Sequence, residues 1–253
     1  MGTRILIINA DDLGYDPAVT QGIFEAMRGG VVSSATLMVN SPHAEQAAGS
    51  AFGLSIGLHL NLARFAPVWR DFPKALLVGG ELSERLASQL PAPVVEQEAL
   101  AQLNLLEAML SRPATHLDTH KHLHRWPAVF EGVCAVAKAR GLPVRSIDKG
   151  MRQALRERGI ATADALIGDA GQEPYWTLTR FQEAIAELSQ GATELMCHPG
   201  HSPTHVPSGY SLQREAELQT FLHPSATLLL QKAGVTLADC TALRGWTKGG
   251  ALR

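Results

Sequence analysis

The sequence is poor in the features that mark a disulfide scaffold, a nucleic-acid binder or a membrane protein. Its 253 residues include three cysteines, Cys134, Cys197 and Cys240, which lie far apart and form no CxxC pair. That argues against a disulfide framework and against a cysteine-ligated zinc site, and makes a reducing cytoplasm the expected compartment. Positive charge is not in excess: 22 lysines and arginines stand against 24 acidic residues, for a formal net charge of -2. Proteins that bind DNA or RNA usually carry a clustered basic surface, so nucleic acid is not an expected partner. No apolar run approaches the ~18 residues that a membrane helix needs. The opening stretch, Met1 to Ile8, lacks the longer apolar core and the small-residue cleavage site of a signal peptide, and reads as a first strand. The GxSxG, P-loop and GxGxxG fingerprints are also missing, which removes the commonest serine-hydrolase, kinase-like and dinucleotide-binding readings.

What is present is an ordinary globular composition, 45% hydrophobic and 18% charged, at a length that suits one α/β barrel or two small domains. Short β-branched runs read as strands at Arg4 to Asn9, Ser34 to Val39, Leu54 to Leu62, Pro143 to Ile147, Ala165 to Ile167, Glu194 to His198 and Val235 to Leu237. Between them, helices are expected from Pro17 to Gly29, His43 to Ala51, Ser83 to Leu90, Val94 to Ser111, Trp126 to Arg140, Met151 to Arg158, Leu178 to Gln190, Leu212 to Leu222 and Ser225 to Ala233. This alternation, with no linker or internal repeat, predicts a single α/β domain over residues 1–253 built on a parallel sheet, with a frayed tail after Arg244. The irregular stretch from Ala63 to Gly80, with Trp69 in it, reads as a lid or substrate wall; equally, its aromatics could pin the loop to the body.

One stretch is chemically loaded. Thr115 to His124 places His116, Asp118, His120, His122 and His124 at every second position. If the stretch is extended, all five side chains face one way. If the chain turns helical after Thr119, His120 and His124 share a face. Either geometry gathers imidazoles, which bind zinc-like ions and exchange protons near neutral pH. Asp11 and Asp12 follow the first strand, His59 lies near the end of the third, and His198 ends a later one. These groups therefore fall at the carboxyl ends of different strands, where barrel and open α/β enzymes build active sites. Adjacent aspartates diverge in an extended chain, so one of the pair can ligate an ion while the other stays free as a base. Two histidines and a carboxylate with open positions make a hydrolytic metal site. His120 is the favoured second histidine ligand, with Asp118 or a carbonyl holding its other nitrogen. His198 would then be a proton donor to the leaving group.

Asn9 to Gly14 (Asn-Ala-Asp-Asp-Leu-Gly), Gly57 to Leu60, Thr115 to His124 and Met196 to Gly200 together resemble the YdjC-like carbohydrate deacetylases, which include the chitooligosaccharide deacetylases. The likeness runs in order over most of the chain, with Leu13 where phenylalanine is usual and Thr119 where serine is usual. The resemblance implies a distorted TIM-like (β/α) barrel and metal-dependent removal of an acetyl group from an N-acetylated sugar. Carried over residue by residue, it makes Asp11 the base, Asp12, His59 and His120 the ligands of one divalent ion, Zn2+ or Mg2+, and, by analogy with wider polysaccharide deacetylases, His198 the acid. Arg145 matches the family's arginine after the next strand and is expected to orient Asp11 or the substrate. Asp118, His122, His124, Arg145 and Trp69 are expected behind the ligands or against the substrate. The implied partner is a small N-acetylated sugar, with the assembly left open between monomer and homodimer. The rival readings are an amidohydrolase-type barrel, which expects a His-x-His pair where this chain has Asp11-Asp12, and a sugar- or metal-binding protein without catalysis, which would not need a free base beside its metal ligand.

Overall fold

The first strand is the axis of the molecule. Residues 3–244 and Trp246 are described in a computed structural model, and within it β1 (Arg4–Leu13) is buried along nearly its whole length. A strand buried on both faces reads as a continuous apolar run, as Ile5 to Ile8 do. On one edge β1 pairs with β6 (Gly191–Cys197), from Arg4 opposite Gly191 to Ala10 opposite Cys197. The other edge is shared. Ile5 to Ile7 pair with β7 (Thr236–Ala238), and the upper half, Asn9 to Leu13, pairs with β2 (Ser34–Leu37). Beyond β2 come β3 (Ile56–Leu60) and β4 (Leu117–Thr119), and beyond β6 comes β5 (Ala165–Ile167), giving a seven-stranded parallel sheet in the order β4-β3-β2-β1-β6-β5, with β7 attached to β1.

The sheet curls toward closure. Val144 bridges Leu117 of β4, and the Val144 amide donates to the Ala161 carbonyl, which lies just before β5. The strand expected from Pro143 to Ile147 is thus reduced to a single bridge: Pro143 and Arg145 bond the backbone of Leu117 on one side, and the Val144 amide bonds Ala161 on the other. The result is a distorted TIM-like barrel, with the helices that follow its strands packed outside. Leu6, Ile8 and Ala10 join the large core under those helices. Ile5 and Ile7 point the other way, into a small apolar floor made with Ala192, Cys240, Leu243 and Trp246. By the period of two, Asn9 and Asp11 continue that inward row toward the carboxyl end of the barrel.

The helices are α1 (Pro17–Gly29), α2 (Ala44–Gly49), α3 (Ala92–Leu110), α4 (Pro127–Arg140), α5 (Lys149–Glu157), α6 (Leu178–Glu187), α7 (Leu212–Leu222) and α8 (Pro224–Lys232). The Ser83 to Leu90 helix is instead a short 3-10 segment, Glu84–Gln89. Asp16 caps α1 by accepting from the Ala18 amide at 2.9 Å, so neither Asp11 nor Asp12 is used as its N-cap. The fraying expected after Arg244 lies outside the described residues except at Trp246, which is buried and whose indole nitrogen donates to Asp164 at 2.9 Å.

Candidate active site

The inward rows of β1, β3, β4 and β6 meet at the carboxyl end of the barrel and build the site in layers. In the lower layer His116 donates from Nε2 to Asn9 Oδ1 at 2.9 Å, and Asn9 Nδ2 donates to Asp11 Oδ1 at 2.9 Å. Burial pushes His116 down to about 4, so it is a neutral part of this relay. Gly57 makes the layer feasible: a Cβ there would lie 2.5 Å from the His116 ring and 2.7 Å from its carbonyl oxygen.

Above it sits a buried guanidinium among three carboxylates. Arg145 donates from Nη1 to Asp11 Oδ2 at 2.6 Å and from Nη2 to Asp11 Oδ1 at 2.7 Å, reaches Asp118 Oδ2 at 2.9 Å, and donates from Nε to Glu194 at 2.7 Å. Such a fork suits carboxylate geometry and is the strong form of an ion pair. Burial raises the Glu194 carboxyl above its ordinary value, with Arg145 opposing that shift. For Asp118, burial is overcome by Arg145 and His59, which hold its carboxyl far below the usual range.

The top layer holds Asp12, His59 and His120. His59 Nε2 lies 3.3 Å from Asp12 Oδ1, His120 Nδ1 lies 3.1 Å from the same oxygen, and the two nitrogens are 3.2 Å apart. Ligand bonds of ~2.0–2.2 Å to one ion place their donor atoms about 3 to 3.5 Å from each other, which is the spacing of this triangle. Asp12 Oδ1 is buried without a hydrogen-bond donor among the described residues. A divalent cation therefore fits these three groups. Asp11, His59 and Asp118 also lie close together, but their facing atoms are spent on Arg145 and on each other, so the guanidinium stands where a cation would.

The two aspartates diverge as an extended pair should, and they do so with a twist: Asp12 has φ +67°. Its Oδ2 accepts from Arg214 at 2.6 Å. Burial opposes ionisation of Asp12, yet Arg214 and the nearby imidazoles outweigh it and keep the carboxyl well below its ordinary range. His59 is buried too, which disfavours its charge, but Asp118 more than compensates and raises it to about 10. Asp118 thus holds His59, its Oδ1 accepting from Nδ1 at 2.6 Å. Of the two holders expected for His120, Asp118 or a carbonyl, Asp118 is thereby corrected, because the neighbouring strands β3 and β4 put His59 directly opposite it in register.

The His-rich run adopts neither of its two anticipated shapes. The strand stops at Thr119, and a 3-10 segment, His120–Arg125, follows with Lys121 and His122 both left-handed at φ +55° and +52°. Left-handed backbone is uncommon outside glycine and collects at functional sites, where surrounding structure sustains it. Its effect is to bring His120, Lys121 and His122 all to the wall of one cavity. His124 is turned away, buried against Thr119 Oγ1 and pushed down to about 3 by burial and by His122.

That cavity, of about 520 Å³, opens over Asp11, Asp12, His59 and His120 and is completed by His198, Tyr15, Arg64, Tyr210 and Arg214. His198 stands just past β6, its Nδ1 buried without a partner among the described residues and its ring 5.4 Å from that of Tyr210. The loop after β3 contributes Ala63 and Arg64 to the wall but not Trp69. The Trp69 amide donates to buried Glu98 at 2.8 Å, and its ring packs edge-on against Phe72 at 6.3 Å. The aromatics therefore pin this segment to the body, and Trp69 as a substrate wall is corrected.

Arg214, Tyr210, Tyr15, Glu217 and Glu194 were not singled out from the sequence. Glu194 carried a readable signal, since a carboxylate inside a buried strand shares its face with His198 four residues on. Arg214, in a Gln-Arg-Glu-Ala-Glu run that opens α7, reads as a solvated helix face.

A family profile described as YdjC-like protein matches residues 5–232. A carbohydrate deacetylase of Geobacillus stearothermophilus is 35% identical over 92% of this chain and 96% of its own length. A chitooligosaccharide deacetylase of Serratia marcescens is 32% identical over 93% and 98%. Among solved structures, an Enterococcus faecalis V583 protein, provisionally described as a cellobiose-phosphate cleavage protein, superposes with TM-score 0.84 at 28% identity, over 96% of this chain and 99% of that one. The catalytic domain of a peptidoglycan N-acetylglucosamine deacetylase from Eubacterium rectale superposes with TM-score 0.53 at 12% identity, over 99% of this chain and 92% of that one, a likeness of fold alone. With nearly its whole length matched by the profile and by relatives at 30% identity or more, the chain belongs to the YdjC-like protein family.

Proposed function

We propose that this protein is a metal-dependent hydrolase that removes the acetyl group from an N-acetylated sugar. The observation that carries the reading is the triangle of Asp12 Oδ1, His59 Nε2 and His120 Nδ1 beside a second, separately held carboxylate, Asp11, at the floor of one cavity. The deacetylase names of the two full-length relatives supply the substrate class.

Asp12, His59 and His120 would hold the divalent ion, and two imidazoles favour zinc over magnesium. When bound, such an ion supplies Lewis acidity, lowering the pKa of water and polarising a carbonyl. Asp11 takes the proton of the attacking water, while Arg145 fixes its carboxylate in one plane through both oxygens. As the water oxygen bonds to the acetyl carbon, the carbon–nitrogen bond breaks, and His198 gives a proton to the departing nitrogen. The products are acetate and the free amino sugar. The side chains that close the cavity, Tyr15, Arg64 and Tyr210, offer the aromatic faces and donors that suit a sugar ring. No helix among the described residues is long and apolar enough to cross a membrane. The buried, unbridged Cys134, Cys197 and Cys240 favour a reducing compartment such as the cytoplasm.

The test is metal analysis of protein purified without added ions, joined to an acetate-release screen across N-acetylated mono- and disaccharides. One ion per chain with acetate release that a chelator abolishes and zinc restores is the expected result. Ion binding without acetate release from any acetylated sugar would point to a binding protein instead.

A further inference from the structure

Arg214 has one more nitrogen than its visible task requires. Its Nη2 donates to Asp12 Oδ2 at 2.6 Å and its Nε to the Tyr210 carbonyl at 3.0 Å. These two bonds suffice to hold the Asp12 carboxylate. Yet Nη1 is also buried and finds no acceptor among the described residues, in a residue only 3% exposed that lines the cavity. A buried donor without an acceptor is costly to a fold unless something arrives to accept from it.

The guanidinium is also held rigidly. It lies between two aromatic rings, 5.7 Å from the Tyr15 centroid and 5.6 Å from that of Tyr210. Both rings are themselves fixed, Tyr15 donating to the Pro207 carbonyl at 2.7 Å and Tyr210 donating to Glu217 at 2.7 Å. The place of the free nitrogen narrows what it can bind. Nη1 is two covalent bonds from Nη2, which rests on the Asp12 carboxylate whose other oxygen faces His59 and His120. An acceptor of Nη1 therefore sits at the end of the cavity formed by Asp12, His59 and His120, where the scissile amide must lie, and not at the far wall where distal sugar hydroxyls would be. A fixed cation there favours an acceptor that gains negative charge.

We infer that Arg214 is a further catalytic residue, whose Nη1 donates to the acetyl oxygen as negative charge builds on it during attack. This rests on the deacetylation proposed above. Arg214 would serve two groups at once, ordering Asp12 through one nitrogen and receiving the acyl oxygen with the other.

The test compares wild-type protein with Arg214→Gln and Arg214→Lys. Lysine keeps a cation beside Asp12 but lacks the second nitrogen, so it separates holding Asp12 from binding the acyl oxygen. Both variants should retain wild-type metal content under saturating zinc and lose about 100- to 1,000-fold in kcat on an N-acetylated sugar, with KM little changed. The loss should be smaller on the N-trifluoroacetyl analogue, whose fluorines carry part of the developing charge. Full recovery of kcat by added zinc in either variant would reduce Arg214 to a support for Asp12 and overturn the inference. If the wild type releases no acetate from any acetylated sugar, the deacetylation reading fails, and direct calorimetry with acetate on the zinc-loaded proteins decides the inference: binding at least tenfold weaker in both variants upholds an acyl-oxygen site, and equal binding overturns it.

Discussion

His59 and Asp118 lie directly opposite each other on adjacent parallel strands, with Nδ1 and Oδ1 2.6 Å apart. The pair decides which face of the imidazole is available. With Nδ1 donating to Asp118, Nε2 is turned toward Asp12 and His120, and it is the nitrogen that must give up its proton to an ion.

Replacing Asp118 with asparagine should therefore weaken metal binding although Asp118 is not in the triangle. An amide can donate to Nδ1 and leave the proton on Nε2, where an ion would otherwise bind. Affinity for zinc is expected to fall about 10- to 100-fold, measured by competition with a chromophoric chelator. An unchanged affinity would show that the register of β3 alone orients the ring.

Metal binding should also depend on pH in a definite direction. Asp118 raises His59 to about 10, so the metal-free protein carries a proton on His59 that an ion must expel. Affinity should rise with pH by about tenfold per unit through neutrality, and calorimetry in buffers of different ionisation enthalpy should count about one proton released per ion from this group. The same shift has a stability consequence in the metal-free state. A histidine raised on folding stabilises fully below its unfolded value of about 6.5, and that contribution is lost as pH climbs toward 10. Chelated protein should accordingly show a falling Tm across that window, and a flat profile would contradict a protonated His59.

The two adjacent aspartates are expected to fail differently. Asp11→Asn should keep its metal and lose about 100- to 10,000-fold in kcat, the usual cost of removing a general base. Asp12→Asn should lose the metal. Metal content by mass spectrometry of the intact folded protein separates the two, and equal loss in both would dissolve the division of labour.

For His198 the leaving group is the discriminating variable. An amine departs poorly without a proton, whereas a nitrophenolate needs none. His198→Ala should be severely impaired on an N-acetylated sugar and nearly normal on nitrophenyl acetate, assayed at equal metal content. Equal damage to both substrates would move His198 to substrate positioning.

How far the site was readable from the chain depended on how local each signal was. Asp11, Asp12, His59 and His198 stood out because polar groups ending apolar strands have few structural reasons to be there. The parallel α/β domain followed from the alternation of short β-branched runs with helices, and the bounds of α7 and β5 with it, whereas its closure into a barrel was implied by the family resemblance. What could not be read was conformation that breaks a period. Two consecutive left-handed residues at Lys121 and His122 have no glycine to announce them, and they decide that His122 joins the cavity while His124 leaves it. Arg214 was hidden for a different reason: its partner Asp12 is almost the whole chain away, and only the barrel brings α7 back over β1. Trp69 misled because an aromatic in a long loop signals either binding or anchorage, and the buried carboxylate of Glu98, far along the chain, decides for anchorage.

The arrangement of β1 has a consequence for how the molecule comes into being. Within this chain β1 is made long before its most extensive partner, β6, and the β7 segment beneath it. Until then one whole edge of an apolar strand has no mate, and the barrel floor lacks Cys240, Leu243 and Trp246. Pairings so distant along the chain are slow to form, and an unmated strand edge invites association with other chains. The growing polypeptide thus carries the two aspartates of the candidate site on a strand that stays unmated along one edge until β6 is made, and the barrel closes only after its last strands exist.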